Sequence, residues 1–354
     1  MDTNYKISRQ LNNFYGASSI LKKLVIGISI LLLALISVAT YAYLDLTRYA
    51  KKLPGGEPVE HIVIIRPGQG FNSFSENIYH KGIIEHPLKF RLLARMKRYE
   101  TKMKAGEYSL SSSMTPEKIL DIIVNGKVRF HRLTVPEGYN LRQVARVVET
   151  SGFGSREDFL YAAANADFVH HLGIETETFE GYLFPDTYLF PKGETFEKII
   201  SNMVKRFWSA FKPEWRRRAE ALGFSIHEIV TLASIIEKEA SVASERPIIS
   251  SVFHNRLKRN MRLQSDPTVI YGIKNFDGNI KRKHLAQPTP YNTYTIKGLP
   301  PGPIASSGID SLEAALYPAD TKYLFFVSKK DTTHHFSINL KDHNRAVRKY
   351  QLSK

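Results

Sequence analysis

An apolar run, Ile229–Ile236, leads directly into two carboxylates, Glu237 and Glu239. Burying a carboxylate is costly, and the same cost raises its pKa. A glutamate at the inner end of a buried helix is therefore a candidate general acid, kept protonated near neutrality. At 100° per residue the two side chains point about 200° apart on a helix, so they cannot act as one side-by-side pair. Apolar residues lie on both faces, so the pattern does not choose between them. Either could also simply be solvated at the helix end, the usual place for glutamate.

Two later segments carry groups that could hold a polyhydroxylated ligand. In 259–272, Gln264, Ser265, Asp266 and Thr268 are compact polar residues of the kind that bind hydroxyls. In 288–304, prolines and glycines make a stiff loop with little entropy left to lose. It bears Tyr291, Asn292, Thr293 and Tyr294, and stiff loops with such residues are disproportionately functional. An ordinary structural loop reads the same way. Glu180–Tyr188 interleaves aromatics with Gly, Pro and Asp. Those rings could stack on sugars if exposed or build a core if buried.

Other chemistries find no support. There is no His-Glu-x-x-His, no Gly-x-Ser-x-Gly and no Walker loop. His334, His335 and His343 lack metal-ligand spacing, and the chain has no cysteine. Neither a metal nor a cofactor is expected.

The elements that must position these residues are legible in outline. Ser225, with Glu228 three residues on, forms a capping box that starts the helix running to about Ala240. Thr195–Phe207 and Glu214–Leu222 read as helices, the latter closed by Gly223. Nearer the N-terminus, His61–Ile65 is strand-like and precedes Pro67-Gly68 and a helical stretch to His80. Arg132–Pro136 repeats that plan before a helix carrying Leu141, Val144, Val147 and Val148. Lys104–Leu110 reads as a strand. Thr115 and Pro116 stand at the N-cap and first position of a helix through Ile123.

Leu24–Leu44 is 21 residues without a charge. At about 1.5 Å per residue it spans a hydrocarbon core of roughly 30 Å. A cleaved signal peptide would have a shorter apolar core, about 7–15 residues. The segment therefore reads as an uncleaved anchor, with residues 1–23 in the cytoplasm and 45–354 outside. Residues 45–60 contain Lys-Lys-Leu-Pro-Gly-Gly-Glu-Pro, a turn-rich linker. The formal net charge is +16, which suits an anionic surface or polymer. The basic residues are scattered and match no nucleic-acid motif, so nucleic acid is not the expected partner.

Several long blocks, in order along most of 60–350, resemble the endolytic murein transglycosylases, the MltG or YceG-like family. They are Glu180–Tyr188, Ala233–Ala240, Ala243–Pro247, Ser251–Arg256, Arg262–Gly272, Pro290–Ile304 and Asn339–Asn344. The resemblance implies an α+β protein with a single transmembrane helix at 24–44 and a LysM-like subdomain at 61–131. A mixed α/β catalytic domain would follow at 132–354. It implies a lyase of the bacterial inner (plasma) membrane, single-pass, its catalytic domain periplasmic or otherwise extracytoplasmic. Such an enzyme cuts nascent peptidoglycan between N-acetylmuramic acid and N-acetylglucosamine, forming a 1,6-anhydro end and terminating strand elongation. The second glutamate of Ile-Ile-Glu-Lys-Glu, Glu239, would be the catalytic residue. Glu237, Gln264, Ser265, Asp266, Tyr291, Asn292 and Thr293 are expected around the substrate. Glycan strands and peptidoglycan synthases (penicillin-binding proteins) are the implied partners. Two rivals fit the same residues: a muramidase-type hydrolase pairing Glu239 with Asp266, and a non-catalytic wall-binding anchor.

Overall fold

The computed structural model describes residues 3–53, 58–274 and 276–352, with only the backbone of 3–21. The chain divides into two compact units, 1–129 and 130–354. The division falls before residue 130 because the strand beginning at Phe130 pairs within the second unit.

The first unit opens with α1 (Thr3–Lys51), one uninterrupted helix. From Lys22 to Leu44 every residue is exposed, including Leu, Ile and Val side chains more than half exposed. This stretch is long and apolar enough to cross a membrane. The helix continues past Leu44 to Lys51, so the first part of the expected linker is helical. Its last turn is anchored: Tyr49 and Ala50 are buried, and Tyr49 Oη donates to His86 O at 3.2 Å. Residues 54–57, the centre of that linker, lie outside the described residues.

After it come β1 (Glu60–Ile65), α2 (Phe71–His80), α3 (Pro87–Met96), β2 (Gly106–Ser111) and α4 (Pro116–Asn125). β1 and β2 are antiparallel, with Glu60 opposite Ser111 and Ile65 opposite Gly106. The period-two alternation of a strand turns Val63 and Ile65 inward and leaves Ile62 and Ile64 exposed. Phe74, Phe90, Leu120 and Ile123 complete this core. Thr115 caps α4 by accepting from Lys118 N–H, and Pro116 opens it.

The second unit is mostly helical. In order it holds β3 (Phe130–Thr134), α5 (Leu141–Thr150), α6 (Arg156–Ala163), α7 (Ala166–His171) and β4 (Thr187–Pro191). Then follow α8 (Phe196–Ala210), α9 (Pro213–Leu222), α10 (Ile226–Glu239), α11 (Arg246–Lys258), α12 (Asp266–Gly272), α13 (Arg282–Ala286), α14 (Ile309–Leu316), β5 (Phe325–Ser328), β6 (His334–Ser337) and α15 (Leu340–Val347). β3–β4 and β5–β6 are two-stranded antiparallel pairs.

α10 is the axis of this unit. Ser225 and Glu228 form the capping box at its start. Every residue from Ile229 to Ile236 is buried, and a helix that is apolar all round belongs inside a core. α9, α11, α12 and α14 pack around it. The stiff loop 288–304 is strapped to it at two points. Ile304 N–H donates to Ser234 Oγ at 3.0 Å, and His227 Nε2 lies 2.9 Å from Pro301 O. Gly181 locks a second loop against the first: its φ is +82°, and a Cβ there would fall 2.5 Å from Pro303. Tyr182 and Phe184 of that loop are buried, so these aromatics build core.

Candidate active site

Glu239 is the last residue of α10. The apolar helix delivers it from the core to a wall formed by the segment before α12. The residue is half-buried, but its carboxyl is closely surrounded by protein. Burial, opposed by a hydrogen bond from Ser265, pushes its pKa up to about 7, with Asp266 adding to the rise and Arg256 opposing it. Near neutral pH such a carboxyl exists in both forms and can give or take a proton.

Ser265 Oγ donates to Glu239 Oε1 at 2.6 Å. Ser265 occupies the N-cap of α12, yet its side chain accepts nothing from that helix. Its position is fixed from behind. Its N–H donates to Thr293 Oγ1 at 2.9 Å, and Thr268 Oγ1 donates to its carbonyl at 2.7 Å. Thr293 and Thr268 hydroxyls meet at 2.8 Å. Gln264, just before it, takes a left-handed φ of +51°, an uncommon geometry outside glycine. Its N–H donates to Thr293 O, and its Oε1 accepts from Arg256 Nη1 at 3.2 Å. The buried Arg256 also donates to the carbonyls of Leu263 at 2.8 Å and Leu324 at 2.6 Å. This guanidinium thus ties together the chain that presents Ser265.

The other expected residues divide by what their polar atoms do. Gln264 and Asp266 are exposed and Tyr291 is half-buried. Asp266 accepts from Tyr294 Oη at 2.7 Å. Asn292 and Thr293 are buried and serve the protein. Asn292 Nδ2 donates to the carbonyls of His284, Leu285 and Gln287, and its Oδ1 accepts from Tyr294 N–H. The structure therefore does not bring Asn292 to a ligand-facing surface, because its amide is consumed in holding α13. Glu237 points away from Glu239, as helix geometry requires. Its Oε2 accepts from Gly308 N–H at 3.1 Å, and its Oε1 lies 3.7 Å from Arg246 Nη2.

A second raised carboxyl was not singled out from sequence. Burial pushes Glu180 up to about 7 as well, opposed by hydrogen bonds from Tyr271, Leu141 and Gly181. Leu141 N–H donates to its Oε1 at 3.0 Å and Tyr271 Oη to its Oε2 at 2.9 Å. The only sequence signal was its place at the head of the Glu180–Tyr188 block. Arg256 had a like signal, its place at the end of the Ser251–Arg256 block, but an arginine inside a helix ordinarily reads as solvated.

A groove of about 860 Å3 runs along the same elements. Lys238, the neighbour of Glu239, lines it, as do Pro267, Ile270 and Tyr271 of α12. Glu239 itself is not in its wall.

A protein-family model described as the YceG-like family matches residues 63–349. The endolytic murein transglycosylase of Bacillus subtilis is 33% identical over 309 residues, covering 82% of this chain and 84% of that protein. A protein of the same name from Streptococcus pneumoniae is 30% identical over 82% of this chain, which spans 58% of that longer relative. The crystal structure of a yceG-like protein from Listeria monocytogenes superposes with a TM-score of 0.57 at 34% identity. It covers 82% of this chain and all of that one.

Proposed function

The chain belongs to the YceG-like family, and on that premise we propose that it is an endolytic murein transglycosylase, a lyase that cuts peptidoglycan glycan strands within their length. The observation that carries the reading is one carboxyl, Glu239, with a pKa pushed to about 7 and one oxygen held by Ser265. Ordinary glycosidases divide acid and nucleophile or base work between two carboxylates. Here one group performs two steps. Protonated Glu239 gives its proton to the glycosidic oxygen as the bond to muramyl C1 breaks. The carboxylate then takes the proton of the muramyl 6-hydroxyl as that oxygen closes on C1. No water is consumed, and Glu239 ends protonated. Ser265 holds Oε1, leaving Oε2 to exchange the proton. Gln264, Asp266 and Tyr291 are the groups left to meet the sugar, while Thr293 and Asn292 position the loops behind them.

In the same reading α1 is a single-pass anchor with its N-terminus in the cytoplasm, and both units work on nascent glycan outside the membrane beside a peptidoglycan synthase. The strand-helix-helix-strand order of β1–α2–α3–β2 supports a LysM-like, glycan-gripping role for 61–131.

Mass spectrometry of digested glycan strands tests the chemistry. The expected products carry 1,6-anhydromuramyl ends, and Glu239→Gln abolishes them. Reducing ends would instead mark a hydrolase using Asp266 as second carboxylate. Undiminished cleavage by Glu239→Gln would remove Glu239 from the chemistry.

A further inference from the structure

The groove beside Glu239 has a one-sided charge. Arg142, Arg146, Arg156 and Lys238 line it against one carboxylate, Glu157. Arg156 takes that carboxylate, with Nη2 2.8 Å from Oε1. Lys238 donates to Gly138 O at 3.2 Å, which leaves its charge uncancelled. Arg142 and Arg146 are exposed, and neither makes an ion pair among the described residues, although the Arg142 charge also favours the ionised form of the buried Glu180. Four residues apart on α5, they project from the same helix face.

Unpaired guanidinium groups of this kind are suited to oxyanions, which they bind by paired charge-assisted hydrogen bonds. The glycan backbone, neutral where its lactyl carboxyls are taken up in amide bonds to peptide, has no use for them. Leu160, Ile270, Ile273 and Ile304 add an apolar wall. The groove, at about 860 Å3, has room for far more than one carboxylate or phosphate, in the range of sites for small organic ligands, roughly 300–1,000 Å3. Cations beside apolar surface, in that volume, suit a short acidic peptide.

We propose that this groove is a subsite for the carboxylate-bearing stem peptide of the glycan strand, with Arg142 and Arg146 reading its carboxylates. The proposal rests on the glycan-cleaving reading above and adds a determinant of which strands are cut. A nascent strand has another oxyanion, the diphosphate at its lipid-linked end. The apolar wall favours the peptide, whose side chains can cover it.

Binding, measured without turnover, tests this. The full-length Glu239→Gln protein is sedimented with four ligands: peptide-bearing strands, strands stripped by an amidase, strands with chemically amidated carboxylates, and stripped strands ending in a diphosphate. The expected result is affinity at least ten-fold higher for peptide-bearing strands than for stripped or amidated ones. Adding Arg142→Gln and Arg146→Gln removes that preference, with binding to stripped strands and thermal midpoint unchanged. Lysine at both positions restores part of it. Equal affinity for native and amidated strands overturns the proposal, as does an equal loss on stripped strands. A preference confined to diphosphate ends overturns the peptide assignment. Absence of cleavage by the unmodified protein would sink the enzymatic reading and leave the binding result standing.

Discussion

Ser265 gives its hydroxyl hydrogen to Glu239 across 2.6 Å, from an N-cap position where a serine ordinarily accepts from its own helix. The hydroxyl has been diverted from capping α12 to holding the carboxyl at the end of α10. Its hydrogen bond favours the ionised form and so opposes the rise caused by burial.

Removing that hydroxyl has a defined sign. Ser265→Ala raises the Glu239 pKa beyond its value of about 7, because the carboxylate loses its donor while burial remains. The alkaline limb of kcat/KM, where the acid deprotonates, moves to higher pH. Turnover falls about ten-fold or more as Oε1 loses its anchor. A pH–rate profile of the variant checks this, and an unchanged or acid-shifted limb would contradict it.

The two glutamates separate by their partners. Glu237→Ala leaves Gly308 N–H and the Arg246 guanidinium without their shared acceptor, which costs about 1–3 kcal/mol. The expected outcome is a thermal midpoint lower by several degrees with unchanged product chemistry. Glu239→Gln should lose about 10²–10⁴-fold in rate while folding normally. A Glu237→Ala protein that is stable but inactive would reverse the assignment.

The share of stability that two raised carboxyls contribute should fall with rising pH, against the opposite slope from the buried His254, whose pKa burial lowers. Glu239 and Glu180 are each pushed from the ordinary carboxyl value of 4.5 to about 7. A raised folded pKa means that the folded protein holds protons the unfolded chain releases. Their contribution is therefore fully present below 4.5 and is lost as pH climbs to about 7, flat above that. Glu239→Gln removes one share, on the order of 3 kcal/mol at most. Urea midpoints at pH 4.5 and 8 should thus differ less in the variant. An equal difference would show that the Glu239 carboxyl is not desolvated.

Truncation tests where the exposed apolar part of α1 ends and its packed last turn begins. A chain begun at Asp45 keeps Tyr49 and Ala50 in the first core and should be soluble and stable. One begun at Pro58 loses the buried Tyr49, a side chain worth about 1.5–3 kcal/mol, and its first unit should melt earlier. Coincident unfolding of the two chains would show that the last turn of α1 adds nothing.

Local signals were read directly where they are short-range. The Ser225–Glu228 capping box and the Thr115–Pro116 start depend on bonds within one turn. The opposed directions of Glu237 and Glu239 follow from helical pitch alone. The helical start of the 45–60 linker has no local signal beside the turn-forming Pro54-Gly55-Gly56, and the burial of Tyr49 rests on α3 and α4, far along the chain.

An apolar helix of membrane-spanning length, the capped and buried helix α10 and a carboxyl at its inner end are all written in the chain, because each follows from periodicity and composition within a few residues. Which polar residues face outward and which are spent inside was settled by long-range packing. Asn292 holds α13, Thr293 holds Ser265, and Ser265 holds Glu239. Glu180 and Arg256 were placed by it too. Hydrogen-bond partners tens of residues apart leave no periodic trace, and the desolvation that moves a pKa is set by every element packed around the group.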